Sequence, residues 1–474
     1  MLKSLRDVVV RNPTRTIIAV SSALRLSTCA LLVVSHRLLP TWDAEVTTLA
    51  HPIASSLEPF VRWDTVHFVH IALEGYQSDQ QTAFLPGLPA LMRLGGEAVH
   101  RVVAGRGDVS ADEIVLVGIF ASAIASTAAA IILYRLTLRL FPKRGDFAAT
   151  TALLFLLAPS RPTLHAVPYT EPFAALFTFL GMLLFLRNQD LAAAVSWACG
   201  SAFRAQEIIL GFGFFGWKWI LQRVWTDGPG FSIRHLRRLT TSLPIFASLS
   251  LIAAGPFLAF QIYVFRHFCS IGIEAELHPW CFEGIGMSYG WVQRENSGFL
   301  RYWRPLQLPN FLLAGPVLAL SFASSYAFFA GNPATTWQAT LPFLPVPSRL
   351  KSGPTASPGH FFAQPMDPAT ARRLVPFVHL STFITSLLFF AHHVQIILRV
   401  IVTNPVPFWY AAELVLGEET DEGSTRQRLR KGAAAGKDEV PARRRSGWGK
   451  SWARYCIVWG TVSIVLWAVF LPPA

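Results

Sequence analysis

Charge is scarce in this sequence. Asp, Glu, Lys and Arg make up 15% of its 474 residues, where a soluble protein of this size carries about a quarter. With 52% hydrophobic residues and a mean hydropathy of +0.40, that deficit excludes an ordinary soluble domain. Cysteine is sparse too. The five present, Cys29, Cys199, Cys269, Cys281 and Cys456, form no CxxC pair, which argues against a zinc ribbon or a dithiol redox motif. No Asn-x-Ser/Thr sequon has a permitted middle residue, so glycosylation offers no check on topology. No internal repeat is visible either, and the paired hydropathy pattern of many transporters is missing.

What the chain does have is a series of long apolar runs. A helix in lipid must satisfy every backbone group internally and needs about 20 mostly apolar residues. Runs at 16–35, 114–141, 147–158, 172–187, 191–209, 211–222, 242–265, 310–330, 374–392, 396–416 and 455–472 meet or approach that length. They predict an all-α polytopic membrane protein of roughly ten helices. The first run follows Lys3, Arg6, Arg11 and Arg15 without a small-residue cleavage site, and reads as a retained signal-anchor.

The net charge of +13 is not a nucleic-acid signature, because the basic residues cluster at the ends of the apolar runs. Arg135, Arg139, Lys143 and Arg144 form one group. Arg234, Arg237 and Arg238 form a second; Arg349, Lys351, Arg372 and Arg373 a third; Arg443, Arg444 and Arg445 a fourth. The positive-inside bias places those clusters, and with them the N-terminus, in the cytosol. Segments 36–113, 159–171, 266–308 and the turn near 393 then face the other side. Residues 1–416 read as the transmembrane domain, 417–454 as a disordered cytosolic linker, and 455–474 as a final helix. Residues 331–373 are proline-rich and also read as poorly ordered. The aromatic-rich loop 36–113 predicts amphipathic helices at the membrane surface. Cys269 and Cys281 share the loop 266–308, whose compartment permits a disulfide between them.

One stretch of that first loop stands apart. "RWDTVHFVHIALEGYQSDQQTAFLPGLP", residues 62–89, gathers Arg62, Asp64, His67, His70, Glu74 and Asp79 among aromatic and apolar residues. If 62–73 is helical, Asp64, His67 and His70 share a face, and a turn at Gly75 can return Asp79 towards Asp64. Ionisable groups beside a membrane are functional candidates. Three readings stay open on spacing alone: a solvated loop whose acids pair with Arg62, a metal site on D-x-x-H-x-x-H, and a general base.

Six blocks, taken in order along the chain, resemble the GPI mannosyltransferase II family of PIG-V type. They are the stretch just quoted; "APSRPTLHAVPYTEPFAALFTFLG" from 158; "GPFLAFQIYVFRHFC" from 255; "HPWC" from 278; "GFLRYWRPLQLPNFLLAGPVL" from 298; and "HHVQIILRVIVTNPVPFWY" from 392. The sequence departs from the family at Asp79-Gln80, where Glu-His is usual, and at "FRAQE", where an R-S-N-G-like start is usual. The resemblance implies a GT-C class glycosyltransferase of the endoplasmic reticulum membrane with a luminal active site. It implies transfer of the second mannose, through an α-1,6 linkage, from dolichyl-phosphate mannose to a GPI precursor.

Inverting displacement would need one base, for which Asp64 is the candidate, with Asp79 as second acid. Arg62, Arg301 and His393 are expected to meet the donor phosphate, and Trp63, His67, Tyr302, Trp303 and Gln395 to contact sugar or lipid. No cofactor and no metal are expected, because the leaving group is a monophosphate. Partners implied are the two lipid-linked substrates and a small membrane-protein subunit. The rival readings are a lipid or ion transporter, which would place ionisable residues mid-span, and a dolichyl-phosphate-mannose transferase with another acceptor.

Overall fold

The computed structural model describes residues 2–42, 51–103, 105, 107–269, 278–282, 286–294, 297–351, 366–430 and 447–471. The described chain is helical from end to end, in the order α1 (Leu2–Arg11), α2 (Pro13–Leu38), α3 (Asp64–Glu74), α4 (Gly87–Val103), α5 (Ala111–Leu140), α6 (Gly145–Leu156), α7 (Arg161–His165), α8 (Glu171–Leu186), α9 (Asp190–Ser201), α10 (Gln206–Phe215) and α11 (Ile233–Phe268). There follow α12 (Ser288–Gln293), α13 (Leu308–Gly331), α14 (Pro333–Thr340), α15 (Pro368–Ala391), α16 (Ile397–Val400), α17 (Pro405–Arg430) and α18 (Trp448–Ala468).

Local chemistry sets several of these ends. α2 starts with Pro13 in its first turn, where a missing N–H costs nothing. α5 starts at a capping box: Ser110 N–H donates to Glu113 (2.8 Å) while Glu113 N–H donates to the Ser110 hydroxyl (3.3 Å). α3 stops at Gly75, whose φ of +81° favours glycine.

Five helices are long and apolar enough to cross a bilayer: α2, α5, α11, α13 and α15. Two further apolar pieces, Val394–Thr403 and Pro405–Glu418, meet at 79°, the geometry of a broken span or a re-entrant loop. Of the roughly ten helices expected, five to six pass as crossings by length and composition. α6 and α8 have 12 and 16 residues and reach only about 18 and 24 Å. They are apolar because protein surrounds them: every residue from Phe147 to Leu156 is buried. The run expected at 191–209 breaks between α9 and α10, and 396–416 bends at Asn404-Pro405, where proline removes an N–H and disfavours a helical predecessor.

Helix association in lipid depends on close packing rather than on hydrophobic drive. α5 accordingly buries a small-residue stripe, Gly118, Ser122, Ala125, Ser126 and Ala129, and packs along α8, which in turn packs on α9. The loop 36–113 carries α3 and α4, as expected of it. Helix reaches into two of the segments expected to be poorly ordered. α17 runs on to Arg430, and α18 begins at Trp448; residues 431–446, the middle of the expected linker, lie outside the described residues. α14 occupies part of 331–373.

Candidate active site

Asp64 is the first residue of α3, and an unusual backbone turn puts it there. Trp63 has φ 54° and ψ −132°, a region side-chain-bearing residues rarely adopt and one that is retained mostly at functional sites. A carboxylate in a first turn is favoured by the helix dipole. Thr65 fixes the same turn by donating to Pro168 O (3.2 Å), so α3 is tied to the segment that leads into α8.

That segment supplies Tyr169, Thr170 and Glu171. Arg399, on α16, reaches in from the bent helix pair. Its Nη1 donates to Asp64 Oδ2 (3.0 Å) and to the Tyr169 hydroxyl (2.6 Å), and its Nε lies 3.3 Å from Glu171 Oε1. Glu171 is fully buried and also holds Arg204 Nη1 at 2.5 Å. Arg204 sits in the break between α9 and α10, so the helix break is what delivers it. The chain of contacts Asp64–Arg399–Glu171–Arg204 therefore alternates acid and base.

A cavity of about 570 Å³ opens on this network. Its walls include Asp64, Phe84, Thr170, Arg204, His392 and Arg399, with Tyr289 and Gln293 of α12 on the far side. Asp64 keeps 32% side-chain exposure because it faces that space. Burial by itself would raise its carboxyl; the Arg399 guanidinium and the Tyr169 hydroxyl outweigh burial, and the net direction is downward from the ordinary value. Burial, with Asp64 and Glu171 nearby, holds the Tyr169 phenol well above its usual range despite Arg399. Asp64 is thus an ionised acceptor oriented by two donors. The approach of 84–87 to the α9–α10 break is tight: Gly87 N–H donates to Ala202 O (2.8 Å), and a Cβ at Gly87 would stand 2.7 Å from that oxygen.

Of the residues expected from sequence, the cavity wall contains Asp64. His67 lies beside it and stacks on Phe84 (4.8 Å). Arg62 points elsewhere and is 2% exposed: it donates to Glu58 O (2.6 Å) and Val61 O (3.0 Å) and lies over the Phe470 ring (4.5 Å). Burial pulls its guanidinium down to about 10 against the pull of Glu58. Trp63 rests on Phe470 (6.2 Å) rather than lining the cavity. Asp79 does not return to Asp64. Its Oδ1 lies 2.8 Å from His278 Nδ1, a contact not aligned as a hydrogen bond, and so secures the segment closed by the Cys269–Cys281 disulfide. That disulfide is the bond expected from sequence, with Cα atoms 5.6 Å apart.

The remaining candidates form a second group beside the cavity. Asn310 donates to the Tyr302 hydroxyl (2.8 Å), Gln395 donates to Asn310, and Tyr302 packs on His393 (4.9 Å). Trp303 donates to Phe389 O (2.8 Å), and Arg301 donates to Arg294 O (2.7 Å). None of these lines the cavity; His392, one residue from His393, does. His70 is held by Gln81 (3.0 Å) and Glu74 (3.5 Å), away from any shared site with Asp64. Among the described residues no three His, Cys, Asp or Glu side chains gather.

Sequence reasoning missed Arg399, Tyr169 and Glu171 as a set. The clues were present in "PYTEP" and in an arginine inside "HVQIILRVIV", a charge where an apolar run needs none.

Fold and cavity together define a polytopic helical membrane enzyme with an acid–arginine centre. The chain belongs to the mannosyltransferase (PIG-V) family, whose profile matches residues 15–474. It is 31% identical over 472 residues to a GPI mannosyltransferase 2 of Cryptococcus neoformans, covering 97% of this chain and 98% of that one. It is 28% identical over 395 residues to the human GPI alpha-1,6-mannosyltransferase 2, covering 75% and 73%. Among solved structures it is similar to the Archaeoglobus fulgidus oligosaccharyltransferase AglB in complex with an inhibitory peptide and a dolichol-phosphate, with a TM-score of 0.46, 12% identity and 98% of this chain covered. It spans 56% of the length of that structure.

Proposed function

We propose that this mannosyltransferase adds the second mannose of a GPI precursor, through an α-1,6 bond, using dolichyl-phosphate mannose at the luminal face of the endoplasmic reticulum membrane. The observation that carries this reading is one cavity walled by an ionised acid, Asp64, and two arginines, Arg399 and Arg204, that share Glu171. Family membership supplies the sugar, and the relatives' names supply the acceptor. The GT-C class accords with the family, and a small membrane-protein partner is part of the same proposal.

The chemistry is a direct displacement. The acceptor hydroxyl oxygen bonds to the mannose anomeric carbon as the bond from that carbon to the donor phosphate oxygen breaks. Asp64 takes the hydroxyl proton, and dolichyl phosphate leaves with the negative charge. Arg399 and Arg204 stabilise that charge, a task guanidinium groups perform well for phosphates. Arg399 then has two roles. Before the donor binds it holds Asp64 below its ordinary proton affinity; as the phosphate draws on Arg399, Asp64 gains basicity at the moment a base is needed. Arg62 and Arg301 are given no part, because neither lines the cavity.

The test is complementation of cells lacking the second GPI mannosyltransferase, followed by lipid analysis. This chain should convert the accumulated one-mannose precursor into a two-mannose species. Persistence of the one-mannose lipid with the protein expressed in the membrane would overturn the acceptor assignment.

A further inference from the structure

Glu207 is an ionisable group that the displacement leaves idle. It lies in the first turn of α10 and is fully buried, and a carboxyl sealed inside a membrane bundle is a functional candidate. Its Oε1 accepts from the Thr178 hydroxyl of α8 (2.6 Å). Its Oε2 has no hydrogen-bond partner among the described residues. An interior polar atom left unmatched costs free energy, so its retention calls for a reason. The fit around the side chain is close: a Cβ at Gly200, on α9, would stand 2.8 Å from Glu207 Cγ.

That reason lies one turn back, at Arg204. Its N–H donates to Gly200 O (2.9 Å), and Glu207 N–H donates to Arg204 O (3.3 Å). The backbone of Arg204 is thus held between Gly200 and Glu207, whose packing leaves no room for a methyl. Its guanidinium is held by Glu171, the first residue of α8. Thr178 lies two turns further along α8, about 10 Å away and on the same face. One helix therefore grips Arg204 at both ends: Glu171 takes the guanidinium, and Thr178 steadies the backbone through Glu207. Gln206, in the cavity wall, donates to Thr403 (2.9 Å) and ties the break to the bent helix pair from the other side.

We infer that Glu207 is a positioning residue for Arg204: tethered to Thr178, it fixes the α9–α10 break so that the guanidinium opens on the cavity. The inference rests on the reading of Arg204 as a partner of the leaving phosphate. The tether requires an acceptor oxygen at the right reach, not a charge, since a hydroxyl donates to a carboxyl or to an amide oxygen. Without it the break is free to shift. A displacement of about 1 Å at a group that meets the reacting phosphate can lower the rate 10²-fold.

Glu207→Ala and Thr178→Val remove the tether from its two ends. In the detergent-purified full chain each should lower kcat/KM for dolichyl-phosphate mannose roughly 10- to 100-fold. Glu207→Gln keeps the acceptor oxygen and should stay within about twofold of the parent. In an Arg204→Gln background, Glu207→Ala should add no further loss, because a residue that acts through Arg204 then has nothing to position. Hydrogen exchange of the substrate-free protein reads the same tether without any reaction. Amides within 200–209 should exchange faster in Glu207→Ala and Thr178→Val, and as in the parent in Glu207→Gln. Equal losses in Glu207→Gln and Glu207→Ala, losses that add to that of Arg204→Gln, or unchanged exchange at 200–209 in both tether variants would each overturn the inference. A parent chain that transfers no mannose counts against the proposed reaction alone, since exchange still reports on the tether.

Discussion

Asp64 and Arg62 are two residues apart and have opposite fates. Asp64 opens on the cavity and meets two donors; Arg62 is sealed beneath Phe470, its Nη1 on two backbone carbonyls and its Nη2 against His36 Nδ1. Asp64→Asn keeps the shape and removes the base. Mannosyl transfer in microsomes should fall 10²–10⁴-fold, the usual worth of a general base, at unchanged expression; near-normal turnover would sink the assignment. The pH profile follows from the sign of the Asp64 shift. A carboxyl held below its ordinary value stays charged until the pH falls through that lowered value, so kcat/KM should remain flat from neutrality down to about pH 5. An acid limb centred near 6 would show that another group limits the reaction. Arg62→Met should behave differently. It strands two buried carbonyls, which costs about 1–3 kcal/mol. The melting temperature of the purified protein should therefore drop while the donor KM stays as it was, and a raised KM at unchanged stability would restore Arg62 as a phosphate ligand.

Among the elements, the segment after α11 carries the clearest prediction. Its disulfide and the Asp79–His278 pair hold α12 against residues 79–83, and α12 provides Tyr289 and Gln293 to the cavity wall. Replacing Cys269 and Cys281 by serine should cost about 2–4 kcal/mol, the usual range for a native disulfide. It should also raise KM for the acceptor more than it lowers kcat, since the wall loosens while Asp64 stays put. Equal loss in both, with the melting temperature unchanged, would mean that the segment takes no part in binding. This bond was legible in the sequence because two cysteines fell in one loop that the charge pattern predicts to be non-cytosolic. α3, with its stop at Gly75, was legible too. The destination of Asp79 was not, because nothing local in 75–80 records that His278, some two hundred residues on, would meet it. The bend at Asn404-Pro405 was half legible: hydropathy reads 396–416 as one run, and only the proline marks the break that turns Arg399 towards the cavity.

Across the whole molecule, the same reasoning separates what hydropathy sees from what it cannot. Apolar runs identify α2, α5, α11, α13 and α15 well, because lipid-facing helices must be both long and apolar. At α6 and α8 the runs are shorter than a simple crossing needs, and most of their apolar residues face protein. Two ionisable groups within the bundle have partners of their own. Arg25 donates to the backbone carbonyls of His165 (3.0 Å) and Ala123 (2.7 Å), and Arg204 joins the Asp64–Arg399–Glu171 network. The charge inventory of that network also bears on metal use. A diphosphate leaving group generally calls for a divalent cation, whereas a monophosphate carries less charge and two guanidinium groups can meet it. An oxygen of Asp64 already faces Arg399, and His70 is taken by Gln81 and Glu74, so recruiting Asp64, His67 and His70 to one cation would require dismantling both sets of contacts. Purified protein treated with EDTA should therefore transfer mannose from dolichyl-phosphate mannose at its untreated rate, and added Mn²⁺ or Mg²⁺ should change nothing. If chelation abolishes transfer and either ion restores it, Asp64 is a metal ligand, and the base must be sought elsewhere in the cavity wall.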